Sequence, residues 1–186
     1  QGFSVSENNV TSRVVTLTLD EATDIRNVKI DAVTYDADVH SIEMDKAELL
    51  NQVRSSQELT GTFNLLSPVY TTLSLYQDYD WTIRAVQTIE RRFNVTGQIG
   101  ATEIDPENRI ARVCVPDDTD LGHIEISELK LGPAGITSYS PALEELSGSS
   151  FETVRFVDVT CHGVTERWLL YVETTNVKVA LREADL

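Results

Sequence analysis

Apolar and polar residues alternate along several short segments of the chain, each about the length of one strand. The clearest of these segments contain Leu17/Leu19, Val28/Ile30, Trp81/Ile83/Ala85, Ile124/Ile126 and Trp168/Leu170/Val172. Alternation with a period of two places one face of a strand in the core and the other in solvent. Helical patterns are confined to residues 45–53, where Asp45 is a candidate N-cap, and to residues 141–146. The sequence therefore predicts an all-β protein.

The chain also repeats its own pattern. When the sequence is shifted by 96 residues, five segments of the first half fall on similar segments of the second half. The aligned pairs are Arg13-Val14 with Arg109-Ile110, Leu17-Thr18-Leu19 with Val113-Cys114-Val115, Thr23-Asp24-Ile25 with Thr119-Asp120-Leu121, Val28-Lys29-Ile30 with Ile124-Glu125-Ile126, and Val33-Thr34-Tyr35 with Leu129-Lys130-Leu131. A sixth pair follows at an offset of 87 residues, Trp81-Thr82-Ile83 with Trp168-Leu169-Leu170. Six pairs in the same order predict an internal duplication.

Both copies break the alternation at the same place. The next large apolar residue after Ile30 is Val33, and after Ile126 it is Leu129, so the period of two slips by one residue. Such a slip predicts a β-bulge or a strand that moves from one sheet to another.

Turn signals separate the predicted strands. Asp105-Pro106-Glu107-Asn108 has proline where a type I turn prefers it, and His162-Gly163 lies between two apolar strands as a hairpin loop would. Short strands, few helices and a repeat of about 90 residues are typical of Ig-like or fibronectin-like β-sandwiches. We therefore expect two such sandwiches in tandem, over residues 1–92 and 93–178, with the join between residues 89 and 100.

Composition and charge exclude several classes of function. The 186 residues include 15 Lys and Arg against 30 Asp and Glu, which gives a formal net charge of −15 at pH 7. A chain this acidic is not expected to bind nucleic acid or an anionic lipid surface. No apolar run reaches the roughly 20 residues that a membrane-spanning helix needs, so we do not expect the chain to span a membrane.

Residues that could carry chemistry are present, but their spacing matches no recognisable site. The carboxylates fall at outward strand positions or in turns, and the three histidines, at positions 40, 123 and 162, have no partner at ligand spacing. The acidic segment Asp117-Asp118-Thr119-Asp120 could offer oxygen ligands to Ca²⁺, but it resembles no EF-hand loop and a structural turn explains it better. We predict no catalytic residue, no metal site and no cofactor.

The two cysteines leave two alternatives open. Cys114 and Cys161 are 47 residues apart, a spacing that matches no zinc or redox motif. They could form one disulfide in an oxidising compartment, or they could remain as two small buried thiols.

The aromatic residues divide into candidates for the core and candidates for ligand contact. Trp81 and Trp168 occupy the same place in the two copies, and their inward alternation predicts that each one anchors the core of its sandwich. Tyr76, Tyr79 and Tyr139 lie near loops, and they are the residues that we predict to contact a ligand if the chain binds one.

Several segments, mainly in the second half of the chain, form a recognisable set. They are RRFNVTGQIG at residues 91–100, Ile104-Asp105, ARVCVPDDTDL at residues 111–121, Gly132-Pro133, Ser140-Pro141 and RWLLYVETT at residues 167–175. Together they resemble surface proteins of gut Bacteroidetes, and most of all the N-terminal Ig-like region of proteins that carry a C-terminal carbohydrate metabolism domain (PCMD). Residues 179–186 resemble the start of the linker into that domain, which this sequence does not contain.

The resemblance implies a secreted protein or an outer-membrane lipoprotein of the periplasm or cell surface, with a role in carbohydrate handling. The chain begins at Gln1 and its single methionine is Met44, so we expect that a signal segment or an expression boundary was removed. A lipid anchor would lie upstream of Gln1. The expected partner is the protein's own C-terminal domain, with a glycan as a second candidate, and no functional residue is carried over from the family.

Three functional hypotheses follow. The first is a non-catalytic tandem of sandwiches that spaces or presents a carbohydrate-associated domain at the cell surface. The second is a glycan-binding or adhesive module that uses loop tyrosines with Asp or Asn side chains. The third is a glycoside hydrolase, which would need two carboxylates facing one cleft at roughly 5–9 Å. The sequence also leaves open the pairing of an edge strand with another subunit.

Overall fold

The structure is a computed structural model, and it describes residues 2–38 and 43–175. Strands make up 49% of the described residues and helices only 5%, so the prediction of an all-β protein is confirmed. The chain divides into two compact units, Gln1–Thr88 and Ile89–Leu186, and each has a sandwich-like fold. His40 and the expected linker at residues 179–186 lie outside the described residues.

The first unit contains seven strands and one short helix among its described residues. They are β1 (Phe3–Asn9), β2 (Val14–Leu19), β3 (Val28–Ile30), α1 (Lys46–Leu50), β4 (Arg54–Ser55), β5 (Gly61–Phe63), β6 (Val69–Ser74) and β7 (Asp78–Gln87). Five strands form one sheet in the order β1-β2-β7-β6-β4, in which β2 and β7 are parallel and the other neighbours antiparallel. Strands β3 and β5 form a second, antiparallel sheet.

The second unit likewise contains seven strands and one short helix among its described residues. They are β8 (Arg92–Val95), β9 (Ile99–Asp105), β10 (Ile110–Pro116), β11 (Ile126–Lys130), β12 (Ser138–Ser140), α2 (Leu143–Leu146), β13 (Arg155–Cys161) and β14 (Val164–Thr175). The main sheet has the order β12-β13-β14-β10-β9, with β10 and β14 parallel. Strands β11 and β8 form a two-stranded antiparallel sheet.

The two five-stranded sheets have the same strand order and the same strand directions when they are listed from β1 and from β9. Each is built around its parallel pair, with Val14 opposite Thr82 in the first unit and Ile110 opposite Leu169 in the second. Ile110 follows Val14 by 96 residues and Leu169 follows Thr82 by 87 residues, the same offsets at which the sequence segments align.

Each parallel pair begins after an arginine with a left-handed backbone. Arg13 has a φ of 54° and Arg109 a φ of 57°, a region that residues other than glycine seldom occupy. The carbonyl of Arg13 accepts the N–H of Thr82 at 2.9 Å, and the carbonyl of Arg109 accepts the N–H of Leu169 at 2.9 Å. In both units, the left-handed residue therefore turns the chain into the parallel pair at the same point.

The second unit has the larger core among the described residues. Its fifteen buried apolar residues are Phe93, Val95, Ala111, Val113, Val115, Ile124, Ile126, Leu131, Leu146, Phe151, Val157, Val159, Trp168, Leu170 and Val172. The first unit buries a cluster of five, Leu17, Leu19, Val28, Ile30 and Leu65. Strand β10 follows the alternation that the sequence predicts, because every second residue along it is buried and the residues between are half exposed.

Two turns predicted from the sequence are present in the second unit. His162 and Gly163 form a two-residue hairpin turn with φ angles of 49° and 73°, and Cys161 pairs with Val164 across it. Positive φ at both central residues defines the type I′ turn, whose twist matches that of the strands. The turn at residues 105–108 is closed by a 3.0 Å hydrogen bond from the N–H of its last residue to the carboxylate of its first.

Other local predictions are confirmed as well. The register of β11 against β8 shifts between Ile126 and Glu128, which is the bulge expected after Ile126. Asp45 caps α1, because its carboxylate accepts the N–H of Ala47 at 3.0 Å.

The two cysteines do not form a disulfide with each other. Cys114 lies opposite Glu173 on β14, and Cys161 lies opposite Val164 at the start of the same strand. These two positions on β14 are about 30 Å apart at the usual rise per residue, whereas a disulfide needs Cα atoms within about 7 Å. The disulfide alternative is therefore wrong, and both thiols are free and half-buried.

Asp24 holds the turn between β2 and β3. Its carboxylate accepts hydrogen bonds from Nδ2 of Asn27 at 2.7 Å, and from the backbone N–H and Nε of Arg26 at 3.0 Å each. Burial raises the pKa of Asp24, but these hydrogen bonds and the charge of Arg26 outweigh burial and lower the pKa to about 2. Asp120, at the equivalent position of the second unit, accepts the N–H of Gly122 at 2.9 Å.

We expect the first unit to lose stability as the pH falls from about 4 towards 2. The folded-state pKa of Asp24 lies below its ordinary value of 3.8, so the stabilisation is present above that value and disappears as the carboxylate is protonated. The full effect is at most about 2 kcal/mol, because the side chain keeps some contact with solvent. Urea unfolding near pH 7 and near pH 3, followed by NMR signals of each unit, measures it. Asp24→Asn should remove this part of the pH dependence, and a matched Asp120→Asn change should not.

We also expect the two units to respond differently to loss of an equivalent core side chain. Leu170 is fully buried on β14, whereas Ile83, at the equivalent position on β7, is only partly buried. Leu170→Ala should reduce the free energy of unfolding of its unit by about 2–5 kcal/mol, and Ile83→Ala by about 1–2 kcal/mol. Urea midpoints of the two units measure both losses, and equal losses would contradict the difference in packing.

Candidate functional site

The first unit contains a cavity of about 380 Å³ at one end of its five-stranded sheet. Its walls come from the loop between β1 and β2, residues 35–38, the segment at the end of α1, and the hairpin of β6 and β7. The cavity is therefore bounded by parts of the chain that are far apart in sequence, which the parallel pairing of β2 and β7 brings together.

The cavity has an aromatic wall. Tyr79 and Trp81 are two residues apart on β7, so their side chains lie on the same face of the sheet. Ile83 and Ala85 continue that face and pack against the core cluster of the unit. Tyr35 adds a third ring from the segment after β3. The cavity is thus a continuation of the inward face beyond the point at which the core fills it.

Charged side chains stand beside these rings. The guanidinium carbon of Arg13 lies 5.4 Å from the centre of the Tyr79 ring, within the range of a cation–π interaction. Asp36 pairs with Lys46, with Nζ 2.5 Å from Oδ1. The hydrogen bond from Lys46 lowers the pKa of Asp36, so this carboxylate is ionised at neutral pH.

In the second unit, the position equivalent to the cavity at Trp81 is filled, and Trp168 is enclosed there. Trp168 is 1% exposed, and the guanidinium carbon of Arg91 lies 5.5 Å from the centre of its ring. The Nε of Arg91 donates to the carbonyl of Leu131 at 2.9 Å, which fixes the arginine over the indole. The prediction of a core anchor is confirmed for Trp168. It is wrong for Trp81, whose ring is half-buried because the space beside it is left open as the cavity.

The three tyrosines predicted to contact a ligand have different surroundings. Tyr76 is 79% exposed in the turn between β6 and β7. Tyr79 follows on the same hairpin and lines the cavity. Tyr139 is half-buried against the core of the second unit, where its hydroxyl accepts the N–H of Leu131 at 3.0 Å. The structure thus places Tyr79 in the cavity, while ligand contact by all three stays a prediction.

Sequence reasoning missed most of the residues around this cavity. It named Arg13 and Tyr35 only as parts of the repeat, it did not name Asp36 or Asp38, and it assigned Trp81 to the core. A local signal was available, because Tyr35 is followed by two aspartates within three residues, and the segment before Trp81 reads Asp-Tyr-Asp.

Other candidate sites receive no support within residues 2–38 and 43–175. No group of three or more His, Cys, Asp or Glu side chains is placed there to hold a metal ion. The acidic segment after β10 forms a turn, in which the N–H of Thr119 donates to the carbonyl of Pro116 at 3.1 Å. None of the helices in this part of the chain has the length and apolar character needed to cross a membrane.

Comparison with known proteins adds no relative from which a site could be transferred. No protein-family model matches the chain, and no curated protein is significantly similar to it. The cavity, its aromatic wall and its carboxylates are therefore the observations on which a function can be based.

We expect Trp81 to supply the quenchable part of the protein's fluorescence. It lines an open cavity, whereas Trp168 is almost fully buried beneath Arg91. Acrylamide should therefore quench the Trp81→Phe chain several-fold less efficiently than the unaltered chain. A Trp168→Phe chain whose circular dichroism shows that it is folded should keep the efficient quenching. Equal quenching in the two variants would contradict an open cavity at Trp81.

Proposed function

We propose that the chain is a non-catalytic binding module of two Ig-like β-sandwich units that arose by duplication, and that the first unit binds a neutral saccharide. The observation that carries the proposal is the cavity in which Tyr79 and Trp81 stand beside Asp36. The second unit, whose equivalent position is closed over Trp168, serves as a spacer that presents the first.

Backbone hydrogen bonds outside the strands support the duplication. Besides the bonds to Arg13 and Arg109, three of them recur at matching positions in the two units, each from an N–H to a carbonyl. The donor and acceptor pairs are Thr23 to Asp20 and Thr119 to Pro116, Asn27 to Asp24 and His123 to Asp120, and Leu65 to Ile25 and Phe151 to Leu121. Four of the six paired positions carry different residues, so the shared feature is the path of the backbone more than the side chains.

A charge cluster beside the parallel pair also supports the duplication. In the first unit, Oε2 of Glu7 accepts the hydroxyl of Thr16 at 2.7 Å and lies 3.1 Å from Nη2 of Arg84. In the second unit, the position of Thr16 is taken by Arg112, which lies 3.8 Å from Glu103. Each glutamate thus has an arginine beside it. The arginine lies on β7 in the first unit and on β10, the equivalent of β2, in the second unit. Such an exchange is expected when two copies diverge around one geometry.

The cavity has the chemistry that a saccharide needs. A sugar ring presents apolar C–H groups that pack on aromatic side chains, and hydroxyls that donate hydrogen bonds to carboxylates. Trp81, Tyr79 and Tyr35 supply the aromatic surface, and Asp36 and Asp38 supply the carboxylates. A volume of about 380 Å³ lies at the lower end of the range for small-molecule sites, which suits a short saccharide segment.

The charges around the cavity favour a neutral ligand. Asp36 is ionised at neutral pH, and the whole chain carries a formal charge of −15. The guanidinium of Arg13 already lies over the ring of Tyr79. An anionic sugar would therefore approach against a negative potential, whereas a neutral sugar would meet hydrogen-bond acceptors.

The lowered pKa of Asp36 supports saccharide binding rather than saccharide hydrolysis. A glycoside hydrolase needs one carboxyl group whose pKa is raised, so that it can donate a proton to the leaving group. The hydrogen bond from Lys46 lowers the pKa of Asp36 instead. Asp36 is therefore suited to accepting hydrogen bonds from sugar hydroxyls.

The resemblance of the sequence to Bacteroidetes surface proteins supports a setting for this function. We propose a protein of the cell surface or periplasm, either secreted or anchored by lipid upstream of Gln1. There the module would hold a glycan close to a C-terminal carbohydrate-associated domain.

Affinity electrophoresis through gels that contain neutral plant or host polysaccharides tests the saccharide site. At least one polysaccharide should retard the chain. Trp81→Ala and Tyr79→Ala should each weaken binding about tenfold, which is about 1.4 kcal/mol, because each removes an aromatic surface on which the sugar packs.

Tyr76→Ala is the matched control, since Tyr76 lies on the same hairpin but does not line the cavity. Its retardation should equal that of the unaltered chain. Two results would contradict the saccharide site: no neutral polysaccharide retards the chain, or Tyr76→Ala loses as much affinity as Trp81→Ala. In either case the proposal reduces to a spacer role for both units.

A further inference from the structure

Arg13 and Arg109 are equivalent residues whose side chains contact different partners. The guanidinium of Arg109 forms an ion pair with Glu166, with Nη1 3.8 Å from Oε1. At the offset of 87 residues, the equivalent of Glu166 is Tyr79. The guanidinium carbon of Arg13 lies 5.4 Å from the centre of the Tyr79 ring. Both units therefore keep the same contact across the parallel pair, but the first unit has an aromatic ring where the second has a carboxylate.

This exchange leaves the hydrogen-bond donors of Arg13 without a carboxylate. Among the residues that the structure describes, the Arg13 side chain forms no ion pair and no hydrogen bond. A guanidinium that stacks on a ring uses its flat face, while its five N–H groups lie in the plane and point outward. Arg13 is exposed and lines the cavity, so these donors are accessible to a molecule bound there.

The backbone of Arg13 fixes the residue against the aromatic wall. Its carbonyl accepts the N–H of Thr82, which follows Trp81 on β7. Its φ of 54° lies in the left-handed region, where glycine would be less strained. Because Arg109 shares this backbone, what distinguishes Arg13 is the surroundings of its side chain.

Tyr79 is held in place by two neighbours. Nε2 of Gln77 donates a hydrogen bond to its hydroxyl at 2.6 Å, and the guanidinium of Arg13 lies over its ring. A ring that is fixed before a ligand arrives loses less conformational freedom on binding. Arg13 therefore helps to preorganise the aromatic wall that Tyr79 forms with Trp81.

We propose that Arg13 is the specificity-determining residue of the saccharide site, where its N–H groups donate hydrogen bonds to oxygen atoms of a sugar that packs on Tyr79 and Trp81. Asp36 and Asp38 accept hydrogen bonds from hydroxyls of the same sugar. The site thus selects a ligand that both accepts and donates hydrogen bonds, as the neighbouring hydroxyls of a neutral sugar do. This inference rests on the proposed function, because it names the donor of the same site.

Replacement of Arg13 by glycine separates binding from stability. Arg13→Gly removes the donors and also relieves the left-handed backbone. It should therefore weaken binding about tenfold, while the melting temperature of the first unit does not fall. Arg13→Asn is a second variant with the same expected loss of affinity, since asparagine also tolerates the left-handed region.

Affinity electrophoresis measures the binding. The gels contain soluble xyloglucan, galactomannan or mixed-linkage β-glucan. Each variant is compared with its own mobility in a gel without polysaccharide, because the loss of an arginine changes the charge of the chain.

Arg109→Gly is the matched control. It relieves the same backbone conformation in the second unit, and Arg109 does not line the cavity. This variant should be retarded as strongly as the unaltered chain. In NMR spectra of the chain without a ligand, Arg13→Gly should shift the ring signals of Tyr79, whereas Arg109→Gly should leave them unchanged.

Three outcomes would overturn the inference. If Trp81→Ala weakens binding but Arg13→Gly keeps full affinity, the role of Arg13 is wrong and the saccharide site stands. If Arg109→Gly loses as much affinity as Arg13→Gly, the effect comes from the backbone and not from the side chain in the cavity. If none of the three polysaccharides retards the unaltered chain, the inference fails together with the proposed function.

Discussion

The parallel pairing of two strands at the centre of each five-stranded sheet is the constraint on which the rest of each unit depends. It joins β2 to β7 and β10 to β14, strands that are separated by most of their unit's sequence. Each pair starts at an arginine with a left-handed backbone, Arg13 or Arg109, whose carbonyl accepts an N–H from the opposite strand. This register sets the position along the sheet of every inward side chain on these strands, including both tryptophans.

One register supports two different interiors. In the second unit, Arg91 and β8 cover the inward face, so Trp168 and its neighbours are enclosed by apolar side chains. In the first unit, the same face continues past Ile83 into an open cavity walled by Tyr79 and Trp81. A fully packed interior adds stability, while an interior left open offers aromatic surface to a ligand. The proposed division between a spacer unit and a binding unit follows from this difference.

Individual carboxylates of the first unit have specific roles, beyond their contribution to the net charge of the chain. Several carboxylates act within the fold, as Asp24 does in holding the turn after β2. Asp36 is kept ionised by Lys46 at the edge of the cavity. Asp36 and Asp38 also line the cavity, where their carboxylates can accept hydrogen bonds from the hydroxyls of the proposed neutral sugar.

The sequence alone determined the class of fold, the offsets of 96 and 87 residues, the hairpin at His162-Gly163 and the bulge after Ile126, because alternation and turn chemistry act over a few neighbouring residues. Only the tertiary structure decided that Trp168 is enclosed and Trp81 is not. Enclosure depends on what packs over a ring from distant parts of the chain, here Arg91 in one unit and an open space in the other. The distance between Cys114 and Cys161 along β14 and the grouping of Arg13, Tyr35 and Tyr79 likewise arise from strand register, which a local pattern does not encode.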